Sequence, residues 1–278
     1  MIITNIQNGI GNMNPLISVV IPCYNDGAYL PKTLQKLALQ SEQNFEIIIV
    51  NDGSTDAHTL QVLSELNQQA NITVLHKENG RMSSARNYGV QHAKGTYIAA
   101  LDADDYFDPS FFAKAIEVFN LDPNSAVVTS YVKYFGNKKG NSKPRGGNAY
   151  NFLFSNQCPA CAMVRKEIWD KVSGYDESMK LGYEDWEFYI RITKLGLQVH
   201  LIPEFLLFYR QTNKSTLQND THPNRKQIIA YILEKHKDWY ISCLNNLIDD
   251  KQVIYTESRI AYGTIWKLFK NRLTRKYK

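Results

Sequence analysis

A chain of 278 residues, 44% apolar and 21% charged, has room for one large domain, or a domain and an extension, around a sizeable core. No run approaches the roughly 18 consecutive apolar residues of a membrane span, and the Asn-rich stretch Met1 to Pro15 has neither a basic region nor a cleavage-type signal, which predicts a cytoplasmic protein. The net charge of +5 is concentrated at one end: Ile265 to Lys278 hold six basic residues and no acid, which leaves −1 for everything before them and argues against nucleic acid as a partner.

Ile17 to Ile21 is a β-branched run stopped by Pro22, and Leu30, Leu34, Leu37 and Ala38 follow at helical spacing with Pro31 in the first turn. Phe45 to Val50 repeats the strand, and Asn51-Asp-Gly-Ser-Thr-Asp56 supplies a turn and an N-cap for a helix carrying Leu60, Leu63 and Leu66. A third strand, Ile72 to Leu75, leads through Asn79-Gly80 into a helix from Ser83 to His92, and a fourth strand starts at Tyr97. Short strands apolar on both faces, alternating with helices, predict an α/β fold: a mostly parallel central sheet covered by helices on both faces.

The second half is less regular. A helix at Phe111 to Phe119 and a strand near Ala126 to Tyr131 lead to Gly136–Asn148, a stretch rich in Gly, Lys, Asn and Pro that predicts a mobile loop. Ala160 to Arg165 and a short helix ending before Gly174 precede Glu184-Asp185-Trp186. There a helix opens with the apolar stripe Trp186, Tyr189, Ile190 and Thr193 and with Gly196 past its end. Two short apolar segments follow, Val199 to Ile202 and Phe205 to Tyr209. From Pro223 the pattern is helical, with Ile228, Ile229, Ile232 and then Ile241, Leu244 and Leu247. The expected organisation is a flexible segment over 1–15, an α/β domain over 16–222 divided near residue 105, and a helical extension over 223–278.

Chemistry concentrates where strands end. The fourth strand runs into Asp102, Asp104 and Asp105, and like charges about 4 Å apart repel by roughly 4 kcal/mol at an effective dielectric of 20, so three carboxylates here invite a cation. An oxygen-only ligand set suits Mg²⁺ or Mn²⁺. The alternative is a solvated acidic turn before Asp108-Pro109. Tyr24, Asn25 and Asp26 follow the first strand, Asp52 the second, and His76 and Lys77 the third, along the sheet edge where open α/β sheets bind ligands. Cys23, Cys158, Cys161 and Cys243 are too few and scattered for a disulfide framework, and Cys158-Pro-Ala-Cys161 lacks the second half of a zinc site.

Six stretches taken together resemble the family 2 glycosyltransferases of the GT-A fold. They are Ser18-Val-Val-Ile-Pro-Cys-Tyr-Asn25, Ile48-Ile-Val-Asn-Asp-Gly-Ser-Thr-Asp56, Asn79-Gly80 with Ala85-Arg86-Asn87 and Gly89, Leu101-Asp-Ala-Asp-Asp105, Glu184-Asp185-Trp186, and Tyr209-Arg210 with Ser215. The resemblance covers residues 16 to 216 and implies transfer of a sugar from a nucleotide sugar, most often a UDP-sugar, to an acceptor hydroxyl with inversion.

It further implies a donor site from Pro22, Tyr24, Asp26, Asp52, Asn79, Arg86, Asp102, Ala103 and Arg210. Tyr24 would face the base and Asp52 would accept from the uracil imide N–H. Asp102 and Asp104 would hold Mn²⁺ or Mg²⁺ against the diphosphate. Arg86 would pair with phosphate or with the acidic edge around Asp102, unless it is a helix-surface arginine, and Arg210 would hold diphosphate. Asp185 matches the family's general base, and Glu184, about 100° away round the helix, cannot do the same job. The dipole at a helix start favours the ionised carboxylate a base requires, although such a pair also serves simply to cap and charge a helix. Rival readings are a nucleotidyltransferase and a non-catalytic nucleotide-sugar-binding scaffold.

The implied partners are a nucleotide-sugar donor and a saccharide or lipid-linked saccharide acceptor, in surface polysaccharide synthesis. Tyr262, Ile265, Trp266, Phe269 and Leu273 recur at three- and four-residue steps among the six basic residues, the pattern of an interfacial helix on an anionic membrane. Peripheral attachment at the inner face of the cell membrane follows as an expectation. The alternative packs that stripe on the catalytic domain.

Overall fold

β-branched side chains cover both faces of the first strands, and both faces are buried. β1 (Ile17–Cys23) is buried at every position, and β2 (Phe45–Asp52) at all but Glu46. Each fully buried Val or Ile stabilises by about 1.5–3 kcal/mol over its exposed state, so this pair anchors the domain. β3 (Ile72–Lys77) and β4 (Tyr97–Ala100) complete a parallel set in the order β3-β2-β1-β4. Ser18 is the polar exception inside β1. Its Oγ donates to Glu46 at 2.6 Å and accepts from the Gly95 amide at 2.8 Å, which satisfies a hydroxyl that burial alone would penalise.

The connecting helices are α1 (Leu30–Leu37), α2 (Ala57–Leu66) and α3 (Arg81–Gln91). Pro31 sits in the first turn of α1, and Asp56 caps α2 by accepting from the Thr59 amide at 2.8 Å. α3 lies flat on the sheet at Gly89: a Cβ there would stand 2.5 Å from Val20 Cγ1 and 3.0 Å from Val50 Cγ2. This computed structural model describes residues 15–212 and 221–249.

Beyond β4 the sheet is mixed. β8 (Met163–Arg165) runs antiparallel between β4 and β6 (Ser125–Gly136), β9 (Gln198–Gln211) pairs parallel with β6, and β5 (Tyr106–Phe107) closes the edge antiparallel to β9. Helices α4 (Phe111–Leu121), α5 (Lys166–Lys171) and α6 (Glu184–Thr193) belong to this half. The α/β class with a mostly parallel sheet in its first half is as expected from sequence.

Two expectations change. Gly136–Asn148 is not a loop throughout: β7 (Gly140–Ser142) folds back on β6 as an antiparallel hairpin, held by a partner strand that periodicity does not reveal. The two segments around Pro203 form the single strand β9. The register passes from Ser130↔Ile202 to Tyr131↔Phe205, so Pro203, which has no N–H for the ladder, falls in a bulge. The stripe Trp186, Tyr189, Ile190 and Thr193 of α6 is buried as expected, but so are Glu187, Phe188 and Ile192. The buried Glu187 is paired with Arg191, four residues on, at 2.8 Å.

The chain divides into two compact units, Met1–Ile228 and Ile229–Lys278, with the division inside α7 (His222–Lys235). In the second unit, which includes α8 (Lys237–Asp249), Ile232, His236, Tyr240 and Cys243 are buried at steps of four and three. Ile241, which the sequence placed on the apolar stripe, is 56% exposed because it lies about 100° round the helix from Tyr240. All of the expected flexible segment 1–15 except Pro15, and the basic tail, lie outside the described residues. Among the described residues no helix is long and apolar enough to cross a membrane.

Candidate active site

β1 leads to β2 on one side and β4 on the other, so the crevice beyond its carboxyl end is the topological switch point of the sheet. The loop after β1 is fixed there by Asn25. Its backbone takes the left-handed conformation (φ 57°), its amide N–H donates to Ser54 Oγ at 3.0 Å, and its side-chain oxygen accepts from the amides of Thr55 (2.8 Å) and Asp56 (2.9 Å). The clamp leaves Pro22 buried and Tyr24 48% exposed beside the exposed Asp26.

Asp52 ends β2 almost fully buried. Its Oδ1 accepts from Lys77 Nζ and from the Gly80 amide, both at 2.9 Å, while Asn79 Nδ2 donates to its backbone carbonyl at 2.9 Å. Gly53, at φ +72°, permits this closeness: a Cβ would meet the Asn79 nitrogen at 2.8 Å. Asn79 therefore holds the loop of Asp52. Lys77, which the sequence placed only in a polar cluster, brings the charge that allows a carboxylate to be buried.

The three carboxylates after β4 part company. Thr33 Oγ1 of α1 donates to the carbonyls of Ala103 (2.7 Å) and Asp105 (3.1 Å) and so sets the turn. Asp105 turns inward, away from the crowding that the sequence alone shows for all three. It is fully buried, accepts from the Arg210 amide at 2.7 Å and from Cys161 Sγ at 3.5 Å, and burial beside Asp102 and Asp104 pushes its proton affinity well up. Asp104 stays partly open. Burial, with Asp102 and Asp26 close by, raises its pKa to about 7.

A hard divalent cation would relieve that crowding, and Asp102 and Asp104 are the two carboxylates of the turn that keep partial solvent access and could hold one. Ligand atoms of Asp102, Asp105 and Cys161 also lie within 4.8 Å of one another. The buried Cys161 thiol is a soft donor and suits a hard cation poorly.

Arg86 links this turn to α6. It is 1% exposed, with NH2 2.7 Å from Asp102 Oδ1, NH1 3.1 Å from Glu184 Oε1, and its guanidinium 5.4 Å from the centre of the Tyr175 ring. Of the readings open in the sequence, the acidic edge is the one observed, and a helix-surface arginine is excluded. Its Nε is buried with no hydrogen-bond partner among the described residues. Glu184 is thus committed to Arg86. Asp185 instead accepts from Asn156 Nδ2 at 2.8 Å and from the Trp186 amide at 2.7 Å. Recessed but still reached by solvent, Asp185 has its pKa raised to about 7 by burial and by Glu184. Burial and Glu184 outweigh the Trp186 amide, Arg86 and Asn156, which favour the ionised form.

Arg210 closes the other side. Its Nε donates to the Asp104 carbonyl at 3.3 Å, and its guanidinium lies 4.9 Å from the Tyr29 ring and 4.5 Å from the Phe135 ring. Ser215 lies outside the described residues. Asn156 and Thr33 are the residues that sequence reasoning missed. Asn156 stands in an aperiodic stretch with no signal, whereas Thr33 interrupts the apolar stripe of α1 and could have been noticed.

With this geometry in place, comparison with known proteins is informative. The family model described as Glycosyl transferase family 2 matches residues 18–173. The hyaluronan synthase of Pasteurella multocida is 31% identical over 202 residues, which are 68% of this chain and 20% of the synthase. The chondroitin synthase of Pasteurella multocida strain Pm70 is 31% identical over 199 residues, 67% of this chain and 20% of that protein. The chain therefore spans about a fifth of the length of these relatives.

Among solved structures, Staphylococcus aureus TarS 1–349 in complex with UDP-GlcNAc superposes with a TM-score of 0.65 at 20% identity, covering 91% of this chain and 78% of that one. The mannosyltransferase PcManGT of Pyrobaculum calidifontis, in complex with GDP-Man and Mn²⁺, gives 0.57 at 19% identity over 74% and 60% of the two chains. At these identities the likeness speaks for a shared GT-A fold.

Proposed function

The chain belongs to glycosyl transferase family 2, and from that membership we propose that it transfers a sugar from a nucleotide sugar, a UDP-sugar by preference, to an acceptor hydroxyl with inversion at the anomeric carbon. The observation that carries the proposal is the Arg86 bridge. A buried cation within 2.7 Å of Asp102 and 3.1 Å of Glu184 ties the acidic turn to the start of α6, so the diphosphate edge and a candidate base belong to one constellation. In this reading the exposed face of Tyr24 takes the base, Asp52 the imide N–H, and Arg210 the diphosphate.

Asp104 and Asp102 would hold Mn²⁺ or Mg²⁺, which neutralises the departing nucleoside diphosphate when bound. Asp185 takes the proton of the acceptor hydroxyl, oriented by the Asn156 amide, on the side opposite the leaving group. A carboxylate already near half ionised at pH 7 suits that task, since a general base works best with a pKa close to the working pH. Glu184 is held by Arg86 and acts on Asp185 through its charge.

For the wider setting we infer a saccharide or lipid-linked saccharide acceptor in surface polysaccharide synthesis. The basic, aromatic tail would attach the enzyme to the inner face of the membrane. The direct test is a screen of nucleotide sugars for thermal stabilisation and slow hydrolysis with and without Mn²⁺. A UDP-sugar should stabilise the protein in a metal-dependent way. Stabilisation by no nucleotide sugar, with or without metal, refutes the proposal.

A further inference from the structure

Beside the acidic turn runs a strip in which aromatic rings and cations alternate. Tyr106 stacks on Phe208 with ring centres 4.7 Å apart and lies 5.2 Å from Phe135. Lys36 Nζ sits 5.3 Å over Tyr106, and Lys32 Nζ sits 5.8 Å over the Phe135 ring that Arg210 also covers. Farther along the same strands, Lys143 lies 5.2 Å over Tyr131 and 5.8 Å over Phe205. In the β6–β9 ladder Tyr131 pairs with Phe205 and Phe135 with Arg210, so the strip is continuous with the end of the sheet that carries the site.

These lysines differ from others on the surface. Lys114, Lys166 and Lys237 pair with Glu204, Asp170 and Glu234 at 2.5–2.9 Å. Lys32, Lys36 and Lys143 have ring faces as neighbours and no carboxylate at ion-pair distance among the described residues. The segment from Tyr131 to Asn151 contains five basic residues and no acid. Unneutralised cations over aromatic faces complement a ligand that offers anionic groups and apolar C–H faces in turn.

We propose that this strip binds an acidic saccharide acceptor, whose carboxylates or phosphates pair with Lys32, Lys36 and Lys143 while its sugar faces lie on the rings. The proposal rests on the glycosyltransferase reading of the site and adds the chemical class of its acceptor.

The test uses the full chain and four titrations: short oligogalacturonate for carboxylate, a glycerol phosphate oligomer for phosphate, a neutral malto-oligosaccharide, and UDP with Mn²⁺. At least one acidic chain should bind, more weakly as salt rises. The neutral chain should bind far less. The triple variant Lys32→Gln, Lys36→Gln, Lys143→Gln should lose about tenfold in affinity for the acidic chain, as three exposed ion pairs warrant, and keep its affinity for UDP. Arginine at the same three positions should retain acidic-chain binding, which separates charge from folding. Equal binding of the neutral chain, unchanged binding by the triple variant, or UDP binding with neither acidic chain bound overturns the acceptor assignment. Wild-type protein that fails to bind UDP overturns the UDP-sugar reading of the site, a separate outcome from loss of the acceptor assignment.

Discussion

Replacing Arg86 with Met keeps most of the side-chain volume and removes the charge that holds Asp102 and Glu184. The two carboxylate side chains are 20% and 14% exposed and Arg86 is 2% exposed, so water can compensate only a fraction of the loss. Breaking a buried pair by removing one partner destabilises by about 3–5 kcal/mol, because a desolvated charge is left behind. At about 2–4 °C per kcal/mol for a domain of this size, the melting temperature should fall by on the order of 10 °C.

The double variant Arg86→Met, Glu184→Gln removes one of the stranded carboxylates and should regain about 1–2 kcal/mol in urea denaturation, a coupling that a double-mutant cycle reads directly. A single variant within about 0.5 kcal/mol of wild type would show that the bridge carries no stability. A double variant whose loss is the plain sum of the two singles would show that Arg86 and Glu184 do not act on each other.

Asp104→Ala should abolish transfer and the Mn²⁺ dependence of UDP binding; a variant with wild-type activity in chelator moves the metal elsewhere. Asp185→Asn should bind UDP and metal normally and lose turnover by about 10²–10⁴, and unchanged turnover would pass the role to another group. In the wild-type enzyme kcat should rise with pH as Asp185 loses its proton near pH 7 and then level off, and a flat profile through that region contradicts its role. Asp104 and Asp185 also link stability to pH: both are raised from 3.8 to about 7, so the folded metal-free protein holds protons that the unfolded chain has released. Their stabilising contribution is complete below about pH 4 and declines as pH rises to about 7, so the urea midpoint should be higher at pH 5 than at pH 8, with Mn²⁺ offsetting the share of Asp104. Removing Thr264 to Lys278 should leave UDP binding intact but release the protein from anionic liposomes at low salt, since each basic residue near such a surface is worth about 1 kcal/mol. Full-length protein that ignores these liposomes ends the membrane proposal.

The parts of the fold that were legible in the sequence are those set by local pattern. β1 and β2 are apolar apart from Ser18, Glu46 and the polar end of β2 because both their faces are buried, Asp56 stands where a cap is needed, and the stripe of α6 follows its helical period. β5 and β7, of two and three residues, exist through their ladders with β9 and β6, and so have no signature of their own.

In the site, the motif positions identified the acidic turn and the Glu184–Asp185 pair, but not how the charges divide. Nothing in Asp102-Ala-Asp-Asp105 says that Asp105 turns inward to the Arg210 amide, a contact across 105 residues. The polar text of α3 reads as a surface helix, yet Arg86, Asn87 and Ser83 are buried because its partners lie far along the chain. Asn87 illustrates this: its amide accepts from the Tyr175 N–H at 2.8 Å and donates to the Tyr175 carbonyl at 2.9 Å.

Gly89 acts as the spacer that sets the height of α3 above the sheet. It stands three residues after Arg86, on the same side of the helix, and allows the backbone to rest on Val20 and Val50. Even an alanine there would need to retreat from 2.5 Å to at least 3.4 Å for ordinary contact, a lift of about 0.9 Å. The Arg86–Asp102 pair spans 2.7 Å, so a lift of that size, transmitted in full, would stretch it beyond hydrogen-bond distance. A position with no side chain therefore sets the clearance of a buried charge, and a larger residue there would press on the helix carrying the arginine that joins the two halves of the site.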